Sequence, residues 1–152
     1  MKVFLDTSAL AKRYVQEPGS EELENLFSKG ATEVFVSTLA LPEFGAALGR
    51  KVREKEITKE SAGYALMELE TDWRDLFVKI PPTDDVASSA VSLALQHPLK
   101  GTDAVHLASA MIAGVVLFVT SDKQLLSTSQ KVGLREYDPS EGPLRGQGQE
   151  KI

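Results

Sequence analysis

Four acidic residues stand out because nothing charged surrounds them. Asp6 is the only charge between Val3 and Ala11, Glu43 the only one between Val34 and Gly49, and Asp103 the only one between Gly101 and Ser121. Asp122 follows that last run directly. Most of the 22 acidic residues lie instead in charged stretches such as Glu21-Glu22-Leu23-Glu24. A carboxylate in apolar surroundings must be solvated, paired or bound to a cation, because burying a bare charge is costly. Four carboxylates brought together repel one another, and desolvation adds to the problem. A hard divalent cation relieves both, and all-oxygen ligation suits Mg²⁺ or Mn²⁺. Such an ion activates water and steadies the charge on a phosphoryl group, so the chemistry implied is phosphodiester hydrolysis.

Taken singly, each acid has a plainer use. Asp103 beside Thr102 suits a first helical turn. Asp122 can cap a helix, and Asp6 can form an Asx turn. Glu43 is the hardest to explain this way, among Leu39, Ala40, Phe44, Ala46 and Ala47. What joins the four is the set of elements that carries them.

The unbroken apolar run over residues 2–6 predicts a strand buried on both faces. Val34-Phe35-Val36, residues 77–80, Val115 to Val119 and Leu134 to Tyr137 predict four more strands. Helices are expected from Ser8 to Gln16, from Ser20 to Gly30, from Ser37 or Thr38 to Arg53, after Thr58, after Thr83, from Gly101 to Gly114 and after Asp122. Pro42 falls near the start of the third of these, where it is expected to distort the turn before Glu43. Strands that alternate with helices, with no hairpin dipeptide between neighbours, predict an α/β fold. Its parallel sheet would carry helices on both faces. The order 3-2-1-4-5 would set Asp6 and Asp122 side by side at the carboxyl ends of neighbouring strands, in the crevice where such sheets bind ligands. Glu43 and Asp103 would overhang the same crevice.

With 152 residues and 42% hydrophobic content, the chain reads as one soluble domain. Residues 1–137 carry the fold. The stretch 138–152, rich in Pro, Gly and polar residues, reads as a tail that is disordered or held by a partner. No cysteine is present, so neither a disulfide framework nor a thiolate metal site is available, which suits a cytoplasmic location. No membrane span is expected. The net charge of -5 argues against a general nucleic-acid coat but not against an enzyme with a local basic strip.

Phe4-Leu5-Asp6-Thr7-Ser8-Ala9-Leu10, Ser37 through Glu43-Phe44, Thr102-Asp103-Ala104-Val105-His106-Leu107-Ala108 and Val119-Thr120-Ser121-Asp122 resemble the four acidic motifs of PIN domains. In length and order the chain is similar to VapC-type toxin ribonucleases of toxin–antitoxin pairs. The resemblance implies a PIN-like fold over residues 1–137 and a Mg²⁺- or Mn²⁺-dependent endoribonuclease. It also implies a homodimer inhibited by a small antitoxin. Carried over by motif, Asp6, Glu43, Asp103 and Asp122 form the catalytic and metal-binding set, with Thr7, Ser8, Thr120 and Ser121 placed to position water or phosphate.

Lys100, Lys12, Arg13 and Arg50 are the candidate RNA contacts, against the plainer reading of Arg50 and its neighbours Lys51, Arg53 and Lys55 as a solvated helix end. His106 shares a helix face with Asp103 and reads as a buried histidine that holds its helix in place rather than as a ligand. A haloacid-dehalogenase-type phosphatase would need an acid at position 8, where Ser8 stands. A receiver domain would need one where strand three ends in Ile80-Pro81-Pro82. A non-catalytic PIN module that binds RNA or protein is the surviving alternative.

Overall fold

The computed structural model describes residues 1–146. Positions 147–152 of the expected tail lie outside the described residues. Strands β1 (Lys2–Leu5), β2 (Glu33–Ser37), β3 (Val78–Ile80), β4 (Leu117–Val119) and β5 (Arg135–Tyr137) form one sheet in the order β3-β2-β1-β4-β5. Every pairing is parallel, as the alternation of strands and helices predicts. β1 is central, with Leu5 in register with Val36 on one side and Val119 on the other.

Successive strand side chains point to opposite faces, and here each face has its own core. Val3, Leu5, Val34, Val36, Leu117 and Val119 face helices α1 (Thr7–Tyr14), α2 (Ser20–Lys29), α3 (Ala40–Arg53) and α4 (Lys59–Asp75). Phe4, Phe35 and Phe118 face α5 (Asp84–Gln96), α6 (Gly101–Ala113) and α7 (Lys123–Lys131). Phe4 and Phe118 stack with ring centroids 5.5 Å apart. The strands therefore read as continuous apolar runs, because both faces are covered. Among the described residues no helix is long and apolar enough to cross a membrane.

Two boundaries differ from the sequence expectation in ways that matter. β1 ends at Leu5, and Asp6 is the N-cap of α1, its side chain accepting from the Ala9 amide. α3 begins at Ala40, not at Ser37 or Thr38; Ser37 is the last residue of β2 and its hydroxyl accepts from the Leu39 amide. Pro42 is thus the third residue of its helix, where an N–H would have no helical partner to lose. The Glu43 amide makes a regular bond to the Leu39 carbonyl at 3.1 Å. The expected distortion before Glu43 is absent, since the proline sits in the turn that tolerates it.

The expected loose tail is also different over its described part. Residues Pro139–Glu141 form a short 3-10 turn that lies against α2, and Pro139 is buried. The Tyr137 hydroxyl donates to the Gly142 carbonyl at 2.9 Å. Gly19, in the left-handed region at φ +94°, makes room for this turn: a Cβ there would meet the Pro139 carbonyl carbon and the Ser140 nitrogen at 2.7 Å. Composition could not reveal this docking, because it depends on an absent side chain over 100 residues away in sequence.

Gly19→Ala should therefore lower the unfolding free energy by about 2 kcal/mol, measured by urea denaturation; an unchanged midpoint would show that the C-terminal turn contributes little. Burial first, then the nearby Glu22 and Asp138, push the Tyr137 phenol up to about 12 from its ordinary 10.0. A raised pKa means this stabilisation is complete below the ordinary value and is lost as pH rises through the folded one. Urea midpoints should fall between neutral pH and about pH 11, and Tyr137→Phe should show a smaller fall. An equal fall in both proteins would assign the alkaline loss to other groups.

Candidate functional site

The strand order places the ends of β1 and β4 together, and the chain leaving each one carries an acid. The Asp6 amide donates to the Val119 carbonyl at 3.2 Å, which ties the two strand ends. Asp6 itself is 3% exposed. Its Oδ1 accepts from the Ser8 hydroxyl at 2.7 Å and the Ala9 amide at 2.9 Å, and its Oδ2 from the Thr120 hydroxyl at 2.5 Å. Burial pushes the Asp6 carboxyl up, and the Thr120, Ala9 and Ser8 donors oppose it without cancelling it.

The same hydroxyls lace the loop after β4 to the start of α1. Thr120 Oγ1 accepts from the Asp122 amide, and Ser8 Oγ accepts from the Ser121 amide, each at 3.0 Å. Asp122 caps α7 by accepting the Leu125 amide on Oδ1 at 2.9 Å. The plainer cap reading of Asp122 is therefore real, and a cap engages only one of the two carboxylate oxygens.

Glu43 reaches the site from the first turn of α3. Its Oε1 accepts both the Thr7 hydroxyl at 2.9 Å and His106 Nε2 at 2.5 Å. Burial pushes the Glu43 carboxyl up, but the His106 and Thr7 hydrogen bonds hold it below its ordinary value. Asp103 stands half-buried in the first turn of α6. Burial first, then Asp122, and more weakly Glu43, push its carboxyl up, while His106 and, less strongly, Lys100 pull it down. Asp103 thus feels both Asp122 and Glu43. Among the described residues no three acidic or histidine side chains are gathered at ligating distance. Asp6, Glu43 and Asp122 are each oriented by their own donors.

A divalent cation fits this set. The donors are all carboxylate oxygens, and the like-charge pressure on Asp103 is the kind a cation removes. Mg²⁺ or Mn²⁺ keeps several waters, so one or two direct carboxylates suffice to hold it.

The four hydroxyls expected to position water or phosphate have another use. Ser8 and Thr120 donate to Asp6, Thr7 donates to Glu43, and Ser121 donates to Asp138 at 2.7 Å. Asp138 is a residue that sequence reasoning missed. It also accepts the Ser140 amide and hydroxyl, and so couples the C-terminal turn to the loop that carries Asp122. Its only sequence signal was an acid directly after a predicted strand.

Two expected RNA contacts are corrected. Lys12 is buried and paired with Glu17 at 3.2 Å. Arg13 is bound to Glu24 at 2.7 Å and Asp72 at 3.0 Å, and lies over the Phe27 ring. Both cations are engaged in holding α1 against its neighbours. Lys100 and Arg50 are exposed, and Lys100, the N-cap of α6, is the one beside Asp103.

Residues 3–131 match the family model described as PIN domain. A protein named ribonuclease VapC49 from Mycobacterium tuberculosis is 35% identical over 138 residues, spanning 88% of this chain and 92% of its own. Among solved structures, VapC20 of Mycobacterium tuberculosis, described as a sarcin-ricin loop cleaving toxin, superposes with a TM-score of 0.65 at 17% identity, covering 87% of this chain and 95% of that one. A toxin–antitoxin complex from Klebsiella pneumoniae contains a chain with a TM-score of 0.59 at 18% identity, covering 82% and 90%. At those identities the structural likeness is one of fold.

Asp6→Asn keeps an oxygen for Ser8 and Ala9 and can donate its amide to Thr120 Oγ1, while removing a buried charge. It should raise the melting temperature in chelator by a few degrees, read by scanning calorimetry. A lower melting temperature would show that the three donors already offset the desolvation of the ionised form.

Proposed function

This chain belongs to the PIN-domain family, among the VapC ribonucleases, and on that premise we propose that it is a divalent-metal-dependent endoribonuclease, the toxin of a toxin–antitoxin pair. What supports the reading is that Asp6 and Asp122 follow the adjacent ends of β1 and β4, and that Asp103 feels the charges of Asp122 and Glu43. Mg²⁺ or Mn²⁺ is the ion that suits these oxygens, and all four residues are assigned to holding it. When bound, such an ion lowers the pKa of water and steadies charge on the phosphoryl oxygens.

The chain's own residues do the rest. Asp6 is fixed by three donors and gives the site an immobile floor. Asp103 in the first turn of α6 and Asp122 at the N-cap of α7 are assigned to the side on which the phosphodiester would lie. Lys100 stands where it can bind a backbone phosphate, and Arg50 lies further along the rim, on α3. An RNA substrate makes the cytoplasm the place of action.

The antitoxin partner is supported by the toxin–antitoxin complex that shares the fold. The homodimer is supported by α5. From Val86 to Gln96 that helix carries no charge, yet Val91 is 59% and Leu95 82% exposed. Val91 and Leu95 stand four residues apart on this helix, so they share a face that a second copy of the chain would cover.

The test compares wild type with Asp6→Asn and Asp103→Asn on RNA in Mn²⁺. Both substitutions should reduce cleavage by roughly 100-fold or more, and Mn²⁺ should raise the melting temperature of the wild type alone. Full activity in either variant, or no thermal shift in millimolar Mn²⁺, would overturn the assignment of these carboxylates.

A further inference from the structure

Three elements far apart in sequence meet at one atom of Glu43. Thr7 opens α1, His106 lies in the buried face of α6, and Glu43 lies in the first turn of α3. They are separated by 36 and 63 residues from the glutamate in sequence. Both donors converge on Oε1, and the glutamate side chain is 32% exposed. One oxygen is therefore saturated by two hydrogen bonds, and the other is left for the crevice.

The histidine is built for this contact and for little else. It is 1% exposed, and Phe4 meets its ring edge-on at 6.2 Å. Nε2 lies 2.5 Å from a carboxylate oxygen, so Nε2 carries a proton. Nδ1 is buried and has no hydrogen-bond partner. Nε2 is thus a donor that, with the Thr7 hydroxyl, orients the glutamate. Nε2 is turned to Glu43 and Nδ1 is buried, so neither nitrogen is offered to an ion.

From this geometry we infer that His106 is the positioning residue for Glu43, with Thr7 as its partner: the two donors clamp one carboxylate oxygen so that the other is presented to the metal and the scissile phosphate. The inference rests on the nuclease reading of the site. It makes the imidazole part of the active centre although it touches neither ion nor substrate. Partners that orient a ligating carboxylate typically contribute 10–100-fold to metal affinity or activity.

The test uses the full chain with His106→Leu, His106→Gln and Thr7→Val, below the melting temperature of each. Glutamine places an amide N–H close to the position of Nε2, and leucine fills the space without a donor. His106→Leu should lose at least about tenfold in kcat with little change in KM for RNA, and should weaken Mn²⁺ binding, followed by the EPR signal of free Mn²⁺, by a similar factor. His106→Gln should recover most of both losses. Thr7→Val should give a smaller loss in the same direction. With His106→Leu it should combine to less than the product of the two, because both act on one oxygen.

Wild-type Mn²⁺ affinity and cleavage in a folded His106→Leu protein would overturn the inference. Equal behaviour of the leucine and glutamine variants would reduce His106 to a space-filling residue and overturn it too. Should the leucine variant not fold, His106→Gln and Thr7→Val carry the test: near-wild-type function with Gln and a loss with Val support it, and no loss in Thr7→Val overturns it. A wild type that neither binds Mn²⁺ nor cleaves RNA would instead overturn the nuclease reading on which the inference stands.

Discussion

The structure depends on keeping a carboxylate at the closed end of its central strand. Asp6 follows a strand whose Val3, Phe4 and Leu5 are fully buried, and it has neighbours on both sides in the sheet. No bulk water reaches it, so its hydration must be replaced by the protein. Three donors do this, two from the first turn of α1 and one from the loop after β4, which the pairing of β1 with β4 brings together. The hydroxyl of Thr120 then serves twice, donating to Asp6 and accepting from the Asp122 amide. The cap of α7 is therefore oriented by the same contact that holds Asp6. Fold and site are one network at this edge of the sheet.

The two-faced core explains how the other acids arrive. Helices on the Val3 and Leu5 face deliver Glu43 from α3, and helices on the Phe4 face deliver Asp103 and His106 from α6. Glu43 and His106 meet over the end of β1, so their hydrogen bond also joins the two layers that the sheet separates. A substitution that loosens either layer would move one side of that contact relative to the other. Function is thus sensitive to packing well away from the crevice, in the way expected where catalytic groups need fractions of an ångström in placement.

Much of this was legible from residue type and spacing. The alternation of apolar runs with capped helices marked a parallel α/β sheet, and the four acids were visible because their surroundings were uncharged. The parts that were not legible are those made by long-range pairing. Arg13 and Lys12 read as free cations until Asp72, 59 residues away, and Glu17 are seen to hold them. Ser37 and Thr38 have the composition of a helix cap, but the pairing of β2 with β3 extends the strand through Ser37 and defers α3 to Ala40. Pro42 looked like a disturbance for the same reason: its effect depends on where the helix starts, and that was set by the strand. Docking of Pro139 on Gly19 is a matter of shape between two distant turns, which composition does not encode.

One regularity was hidden until the donors were known. Asp6 is held by two hydroxyls and an amide, Glu43 by a hydroxyl and an imidazole, and Asp122 by an amide. None of these holding groups is a lysine or arginine, although α1 carries one of each within two turns of Asp6. Those two cations are drawn off by Glu17, Glu24 and Asp72. A cationic side chain in the crevice would satisfy the carboxylates more strongly, but it would also cancel the field that attracts a divalent ion and would compete for the same oxygens. Hydroxyl, amide and imidazole donors fix the orientation of Asp6, Glu43 and Asp122 without a lysine or arginine among them.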